Sequence, residues 1–516
     1  MAVNAGDISV VQQDIIAQTT NYSQRILFVG VKNSAGSAGH LELKTVSSIN
    51  DINTFFGANS HIAQGLRMAL EFNENRAIEH NLYFDAIALD PATDATNSIA
   101  NATFTGTASA TQDITLYAGN DKSPIIFTVA KNDTASQIAN KMILAVNAKI
   151  TLPYIATIDA VNTAKVILTS TQKSSFLNNL SIEFKNLPTG VSVETTKFAD
   201  GTNGTVSDIA KLRTAIDNKQ YHCVVIEKDF FSLDSDLKEF FNNRMIRIIN
   251  MHKQGHVVCS FISDYSALNS FVAPFNTYQY GVFTPIKETT HLPFLIATYQ
   301  ALIMTSILVL NYNVSDIITT SNGRGSPECA NQPINEIYMQ GMRPIENNYT
   351  NDELKNIKTM GYLTLENTDD NRYVQITGNQ STYTTTPQGQ VANLNRINEI
   401  TRKIIIGKKG LEVAKTLKGK QLVAISDGEA PYQRTVEDVV NTIMTDLFDV
   451  LGSSQGDGTT VYRYIKNDPQ TRQEVEARVR NSVQQSYQSG TRTLTIDTIM
   501  SVLKNIENII ISQSFN

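Results

Sequence analysis

The chain has no tryptophan and only three cysteines among its 516 residues. Cys223, Cys259 and Cys329 are far apart and no Cys-x-x-Cys occurs, which excludes a disulfide scaffold and the usual zinc spacings. Cys223 and Cys259 fall inside apolar strand patterns, so they read as buried thiols of a protein folded in a reducing compartment. Phosphate-binding signatures are missing too. The glycine-rich stretch VKNSAGSAGH follows a strand, but Gly36 and Gly39 form neither a Gly-x-Gly-x-x-Gly fingerprint nor a Gly-x-x-x-x-Gly-Lys-Ser/Thr loop, so it reads as a plain loop. No Gly-x-Ser-x-Gly elbow occurs, and no Asp/His/Ser triad can be assigned. His252 and His256 are four apart, but Gly255 separates them and His256 begins a strand, so they do not make a metal pair. No catalytic, cofactor-binding or metal-ligating residue is therefore assigned. The net charge of −6 speaks against a nucleic-acid partner. The N-terminus has neither a basic leader nor a long apolar run, so no signal peptide is expected. Leu292 to Val314 carries no charge, yet Pro293, Thr298, Gln300, Thr305 and Asn311 make it too polar for a membrane span, and it reads as a buried helix.

What remains is a long chain, 41% hydrophobic and 18% charged, with more residues than one core supports. The expected fold class is α/β and α+β multidomain: an α/β core with an inserted β-rich domain, then a C-terminal α+β domain and extended terminal arms. A strand at Ile26–Val31, an amphipathic helix over Asn59–His80 and a strand at Tyr83–Leu89 make a parallel strand–helix–strand unit. After Asp90-Pro91 the texture turns to short Thr-rich runs with one helix near 136–149, where Asp133-Thr134 suits the N-cap. The parallel pattern resumes with helix 206–219, strand Tyr221–Ile226, helix 233–251 and strand His256–Ile262. Insertion of a domain into a loop of the core accounts for this order. The divisions expected are an N-terminal arm at 1–24, the core at 25–96 and 205–330, and the inserted peripheral domain at 97–204. The C-terminal domain then takes 331–490 and a second arm 491–516. Ile8, Val10 and Val11 make a short strand without a local partner, either a frayed end or an arm that adds to another subunit. A basic run, Arg402, Lys403, Lys408, Lys409, Lys415, Lys418 and Lys420, precedes an acidic stretch over Asp427–Asp449. Two solvated faces, or a surface for a partner of opposite charge, account for it equally well.

The stretch from Ile334 to Thr386 is the most distinctive. Gly341-x-x-Pro344 gives a turn, and Thr350 and Glu353 have capping-box spacing. Leu354, Ile357 and Met360 follow at helical spacing, with Gly361 where a left-handed C-cap belongs. Tyr362–Leu365 then alternates, NTDDN turns the chain, and Tyr373–Thr377 alternates back as a hairpin. This order of words, ending in Ile376, Thr377, Thr382 and Tyr383, resembles the signature of phage contractile-tail sheath proteins, the Mu-like family in particular. The position after Thr377 is Gly378, where that family usually has a basic or small residue. The Phe55–Asn73 segment after its Phe-Gly turn, the inserted domain and the strand–helix–strand ending also resemble the family.

The resemblance implies a structural protein of the virion tail, assembled in the host bacterial cytoplasm. Such subunits form hexameric rings stacked around a tail tube protein, bounded by baseplate and tail terminator proteins, and contract to drive the tube through the host envelope. It implies that the terminal arms knit neighbouring subunits together. Ile8, Val10 and Val11 at one end, and Ile509, Ile510, Ile511 and Phe515 at the other, would then add strands to a neighbour's sheet built around Tyr362, Leu363, Tyr373, Val374 and Ile376. The basic run would face the tube or an adjacent subunit. A cytosolic α/β enzyme with a β-rich accessory domain is the alternative.

Overall fold

The computed structural model describes residues 24–74, 82–217, 219, 221, 223–241, 243, 256–275, 281–310, 338–339, 341–378, 381–382, 384, 433–445, 454–456, 459–461 and 469–488. Strand β1 (Gln24–Val31) opens the core. Strand β2 (Leu43–Val46) and helices α1 (Ile49–Phe56) and α2 (His61–Glu74) follow, and β3 (Leu82–Leu89) returns beside β1 in parallel, Ile26 opposite Phe84. The short β2 and α1 lie between the two strands that the sequence pattern joined by one helix. β2 runs antiparallel along the outer edge of β3.

The inserted domain begins at β4 (Asn97–Gly106) and continues through β5 (Gln112–Tyr117), β6 (Ile125–Val129), α3 (Ala135–Ala148), β7 (Tyr154–Ile158), β8 (Lys165–Lys173), β9 (Glu183–Lys185) and β10 (Val191–Thr195). It contains an antiparallel four-stranded sheet ordered β10-β4-β8-β7 and a three-stranded sheet ordered β6-β5-β9. Thr134 and Gln137 close a capping box on α3, whose Ile138, Ala139, Met142 and Val146 fill the core between them. At Ala156 on β7, the sheet's last strand, the Asn147 amide donates to the carbonyl and accepts from the N–H, both at 2.9 Å. A side chain thus occupies backbone groups that would otherwise recruit another strand.

The core resumes with α4 (Ala210–Asp217), β11 (Cys223–Ile226), α5 (Phe230–Leu233), β12 (His256–Ile262), α6 (Tyr265–Val272), β13 (Gly281–Ile286) and α7 (Pro293–Leu310). The resulting sheet runs β13-β12-β11-β1-β3-β2, parallel except for β2. Buried on both faces, its strands read as continuous apolar runs. Ile26 and Phe28 point to the side covered by α2 and α7, and Leu27 and Val29 to the side covered by α4 and α6. Gly65 lets α2 and α7 approach closely, since a Cβ there would meet Phe294 Cε1 at 2.6 Å. Helix α7 is thus the buried helix that its polar residues suggested, and no described helix is long and apolar enough to cross a membrane. Cys223 and Cys259 are both buried free thiols, and Cys329 lies outside the described residues.

The signature stretch folds as its words suggest. Thr350 caps α8 (Asn351–Thr359) in a complete capping box with Glu353. At the other end Tyr362 N–H donates to Ile357 O at 3.3 Å and Gly361 N–H to Lys358 O at 3.1 Å, the paired bonds of a Schellman motif. Gly361 has φ +91°, and a Cβ there would lie 2.6 Å from Ser381 O. Strands β14 (Thr364–Asn367) and β15 (Val374–Thr377) form the antiparallel hairpin. Leu363 N–H reaches Phe283 O at 2.9 Å and Thr382 N–H reaches Gly281 O at 3.0 Å, so the hairpin is fastened to β13 at the margin of the main sheet. Farther along, helix α9 (Gln433–Ile443), the short pair β16 (Ser454–Gly456) and β17 (Thr459–Val461), and α10 (Pro469–Gln488) are described. Val439, Val440 and Ile443 of α9 and Val475 and Val479 of α10 are buried, and Arg480 grips the Glu437 carboxylate with both guanidinium nitrogens.

Two substitutions check these devices. Gly361→Ala forces an L residue into a left-handed, crowded position and should cost about 2 kcal/mol or more, read as a lower urea midpoint. Asn147→Leu should leave the monomer folded but give concentration-dependent association by light scattering, because the edge of β7 is opened.

Candidate functional site: the seam joining core, inserted domain and signature stretch

The insertion and the α/β core share apolar residues. Leu292 and Leu295 at the start of α7 belong to its hydrophobic core, and Phe176 of the insertion belongs to the core cluster beneath β11 and β12. Between β13 and α7 the chain runs Lys287-Glu288-Thr289-Thr290-His291-Leu292, and there it meets both other parts. Gly119 pairs across to it, its N–H donating to Thr290 O at 2.6 Å while Leu292 N–H donates to Gly119 O at 2.8 Å. Ser181 N–H adds a bond to Thr289 O at 3.0 Å.

Two carboxylates tie the three parts. Asp121 of the insertion accepts from Thr290 Oγ1 of the core at 2.7 Å and from Arg343 N–H of the signature stretch at 3.2 Å. Glu288 of the core accepts from Ser181 Oγ of the insertion at 3.0 Å and from Asn347 Nδ2 of the signature stretch at 2.7 Å, with Lys197 Nζ at 3.2 Å. Burial opposes ionisation of Glu288, but the bonds from Asn347, Lys197 and Ser181 prevail and hold it below the usual carboxylate range.

Arg343 completes the clasp. Its guanidinium donates to both oxygens of Glu183, at 2.6 and 3.2 Å, and lies 3.9 Å from the centre of the Tyr117 ring. The planar fork suits both contacts at once, which an ammonium cannot. Burial works against ionisation of Glu183, yet Arg343 and Lys185 outweigh it and hold the carboxyl low. Gly341, at φ +81°, begins the turn that presents Arg343. The Gly-x-x-Pro word was legible in the sequence; the arginine inside it gave no sign of its distant acceptor.

His291 is buried and accepts the Asp121 N–H at Nδ1, 3.1 Å away. Burial holds its pKa below 6.5, although the Asp121 carboxylate pulls the other way. A protonated Nδ1 would lose the bond it now accepts.

The proposed interface residues divide sharply. Tyr362, Leu363, Val374 and Ile376 are buried in this chain's own core clusters, so their side chains cannot form a subunit surface. Docking on β13 turns the face carrying Leu363, Val374 and Ile376 into one cluster, while Tyr362, just ahead of β14, enters the cluster on the other side. Tyr373 is exposed and lies beside exposed Tyr338, ring centres 5.5 Å apart. The hairpin's backbone is also partly engaged: Met339 N–H donates to Val374 O and Asn348 Nδ2 to Leu365 O, each at 2.8 Å. Ile8, Val10, Val11, Ile509, Ile510, Ile511 and Phe515 lie outside the described residues. So does the whole basic run from Arg402 to Lys420. Among the described residues no group of three or more His, Cys, Asp or Glu side chains is arranged to hold a metal ion.

Arg343→Ala should destabilise the seam by about 1.5–3 kcal/mol, the range for losing hydrogen bonds to a charged group, while Arg343→Lys should recover part of it. Limited proteolysis between the insertion and the core is the readout. The His291 contribution is fully present above pH 6.5 and lost as pH falls through the lowered value. Hydrogen exchange at 117–122 and 289–292 should therefore quicken in acid, after correction for chemical exchange, and His291→Asn should flatten that response.

No protein-family model and no curated protein matches the chain. Among solved structures it is similar to a sheath tail protein from Listeria innocua, at 12% identity over 86% of this chain and 88% of that one, with a TM-score of 0.39. It is similar to a sheath tail protein from Desulfitobacterium hafniense, at 13% identity over 86% of this chain and 90% of that one, TM-score 0.38. A chain of the contracted helical sheath of the anti-feeding prophage is similar at 11% identity over 99% of this chain and 100% of that one, TM-score 0.37.

Proposed function

We propose that this chain is the structural subunit of a contractile tail sheath. The observation that carries the reading is the signature stretch: its turn, capped helix, Schellman end and hairpin occur in the order that the sheath-family resemblance requires. The same stretch fastens the insertion to the core through Arg343, Asp121 and Glu288. A subunit clasped in this way turns as one body, which suits a lattice whose members rotate without unfolding. Six copies would form a ring, and rings would stack around a tail tube between a baseplate and a terminator, within a virion tail assembled in the bacterial cytoplasm.

Residues 97–204 would stand on the outside of this assembly. The terminal segments would link neighbours by strand addition, each bond contributing roughly 0.5–1.5 kcal/mol net. Single links are weak, and repetition around and between rings makes them a lattice. Because the side chains of Tyr362, Leu363, Val374 and Ile376 are internal, added strands would have to engage backbone edges, with Tyr373 on the open face. The basic run Arg402–Lys420 would meet the tube or an adjacent subunit through salt-sensitive contacts. Contraction would be driven by better packing of the contracted lattice and needs no nucleotide.

Negative-stain microscopy of the purified protein tests the reading. Long hollow tubes are the expected result, and removal of 505–516 should leave folded particles that no longer polymerise. Monodisperse particles at every concentration and salt for the full chain would overturn it.

A further inference from the structure

In an open α/β sheet the crevice at the carboxyl ends of the strands, where the strand order reverses, is the usual place for a ligand. Here β1 lies between β11 and β3, and the crevice receives His61, the first residue of α2, and Glu227, just past β11. The inserted domain fills it. Gln172 Oε1 accepts the His61 N–H at 3.1 Å, and Thr171 Oγ1 donates to Asn59 O at 2.8 Å. Phe176 stacks on Phe230 with ring centres 5.6 Å apart and lies 5.1 Å from the His61 ring, whose other neighbour is Phe294 at 4.8 Å. Ser175 Oγ donates to Asp229, closing the lower side.

Within this plug His61 Nε2 and Glu227 Oε1 face each other at 2.9 Å, with both side chains more than nine-tenths buried. Among the described residues His61 Nδ1 and Gln172 Nε2 have no hydrogen-bond partner, and His61 Nε2 and Glu227 Oε1 are in ion-pair range without a hydrogen bond of good geometry between them. We propose that the His61–Glu227 pair is a proton-sensitive latch that fastens the inserted domain to the α/β core. The inference concerns contacts within one chain and holds whether or not the chain polymerises.

The charge states set the direction. An ionised Glu227 carboxylate leaves a negative charge in an apolar cage, and its protonation removes that charge. Burial favours the neutral state. The charged or titratable groups facing Glu227 are His61, Asp229 and Cys259, while Lys228 is turned toward Phe261 and Phe271. The insertion and α7 present Gln172, Phe176 and Phe294, which do not titrate. Burial raises the Glu227 pKa above 4.5, with His61 opposing and Asp229 adding to the rise. The contribution is therefore complete below 4.5 and lost as pH rises through the raised value. The latch tightens toward acid, the opposite of the His291 seam.

Hydrogen exchange followed by mass spectrometry, corrected for chemical exchange, tests this on the full chain between about pH 8 and about pH 4.5, at roughly tenfold in protection per unit of pKa displacement. Protection at 59–66 and 171–176 should rise toward acid while 117–122 and 289–292 lose protection in the same sample. The strand His256–Ile262 serves as the reference. Glu227→Gln keeps the side-chain shape without the carboxylate and should abolish the rise in protection toward acid. An unchanged slope in Glu227→Gln, or both regions moving in the same direction in the unaltered protein, would overturn the proposal.

Discussion

Two carboxylates, buried Asp121 and half-buried Glu288, draw donors from all three parts of the chain, and this pairing organises the molecule. Asp121 and Glu288 each collect their donors from segments remote in sequence, so their full sets of bonds form only when core, insertion and signature stretch are all in place. Arg343 reinforces the arrangement, because its fork and its ring contact both fall on the inserted domain. Three pieces that look separable along the chain thereby become mutually dependent. Apolar packing follows the same course, since Leu292 and Leu295 leave the α/β core to complete the core of the insertion.

The doubly wound sheet invites comparison with ligand-binding folds, but its crevice is closed by the chain itself. Gln172 takes the N–H that an anion would take at the start of α2, and Phe176 fills the adjoining space. Fold class alone therefore carries no chemistry here. What the crevice holds instead is a titratable pair at a domain junction. The opposite senses of His291 and Glu227 let the two ends of the inserted domain respond differently to one change of pH.

Backbone edges on the described surface are guarded. Asn147 covers the backbone of β7 at Ala156, while Asn348 and Met339 engage the hairpin. These contacts limit casual strand pairing and would leave association to dedicated segments. The exposed Tyr338–Tyr373 pair is the open aromatic feature of the hairpin.

Local chemistry determined much of this structure. Thr350 with Glu353, Gly361 beyond the last helical turn and the NTDDN reversal each act within a few residues, so the helix and hairpin were legible in order and type. Apolar runs likewise marked β1, β3, β11 and β12, and the absence of charge marked α7 as a core helix. The seam was not legible. Asp121, Glu288 and Arg343 are ordinary charged residues until folding brings together positions as much as 222 residues apart. Nor could alternation at 362–376 say which way the hairpin would face. A period of two separates one side of a strand from the other, and only the docking on β13 decided that the side carrying Leu363, Val374 and Ile376 would be core rather than surface. Short-range hydrogen bonding is written in the sequence, whereas long-range pairing of charge depends on the tertiary fold.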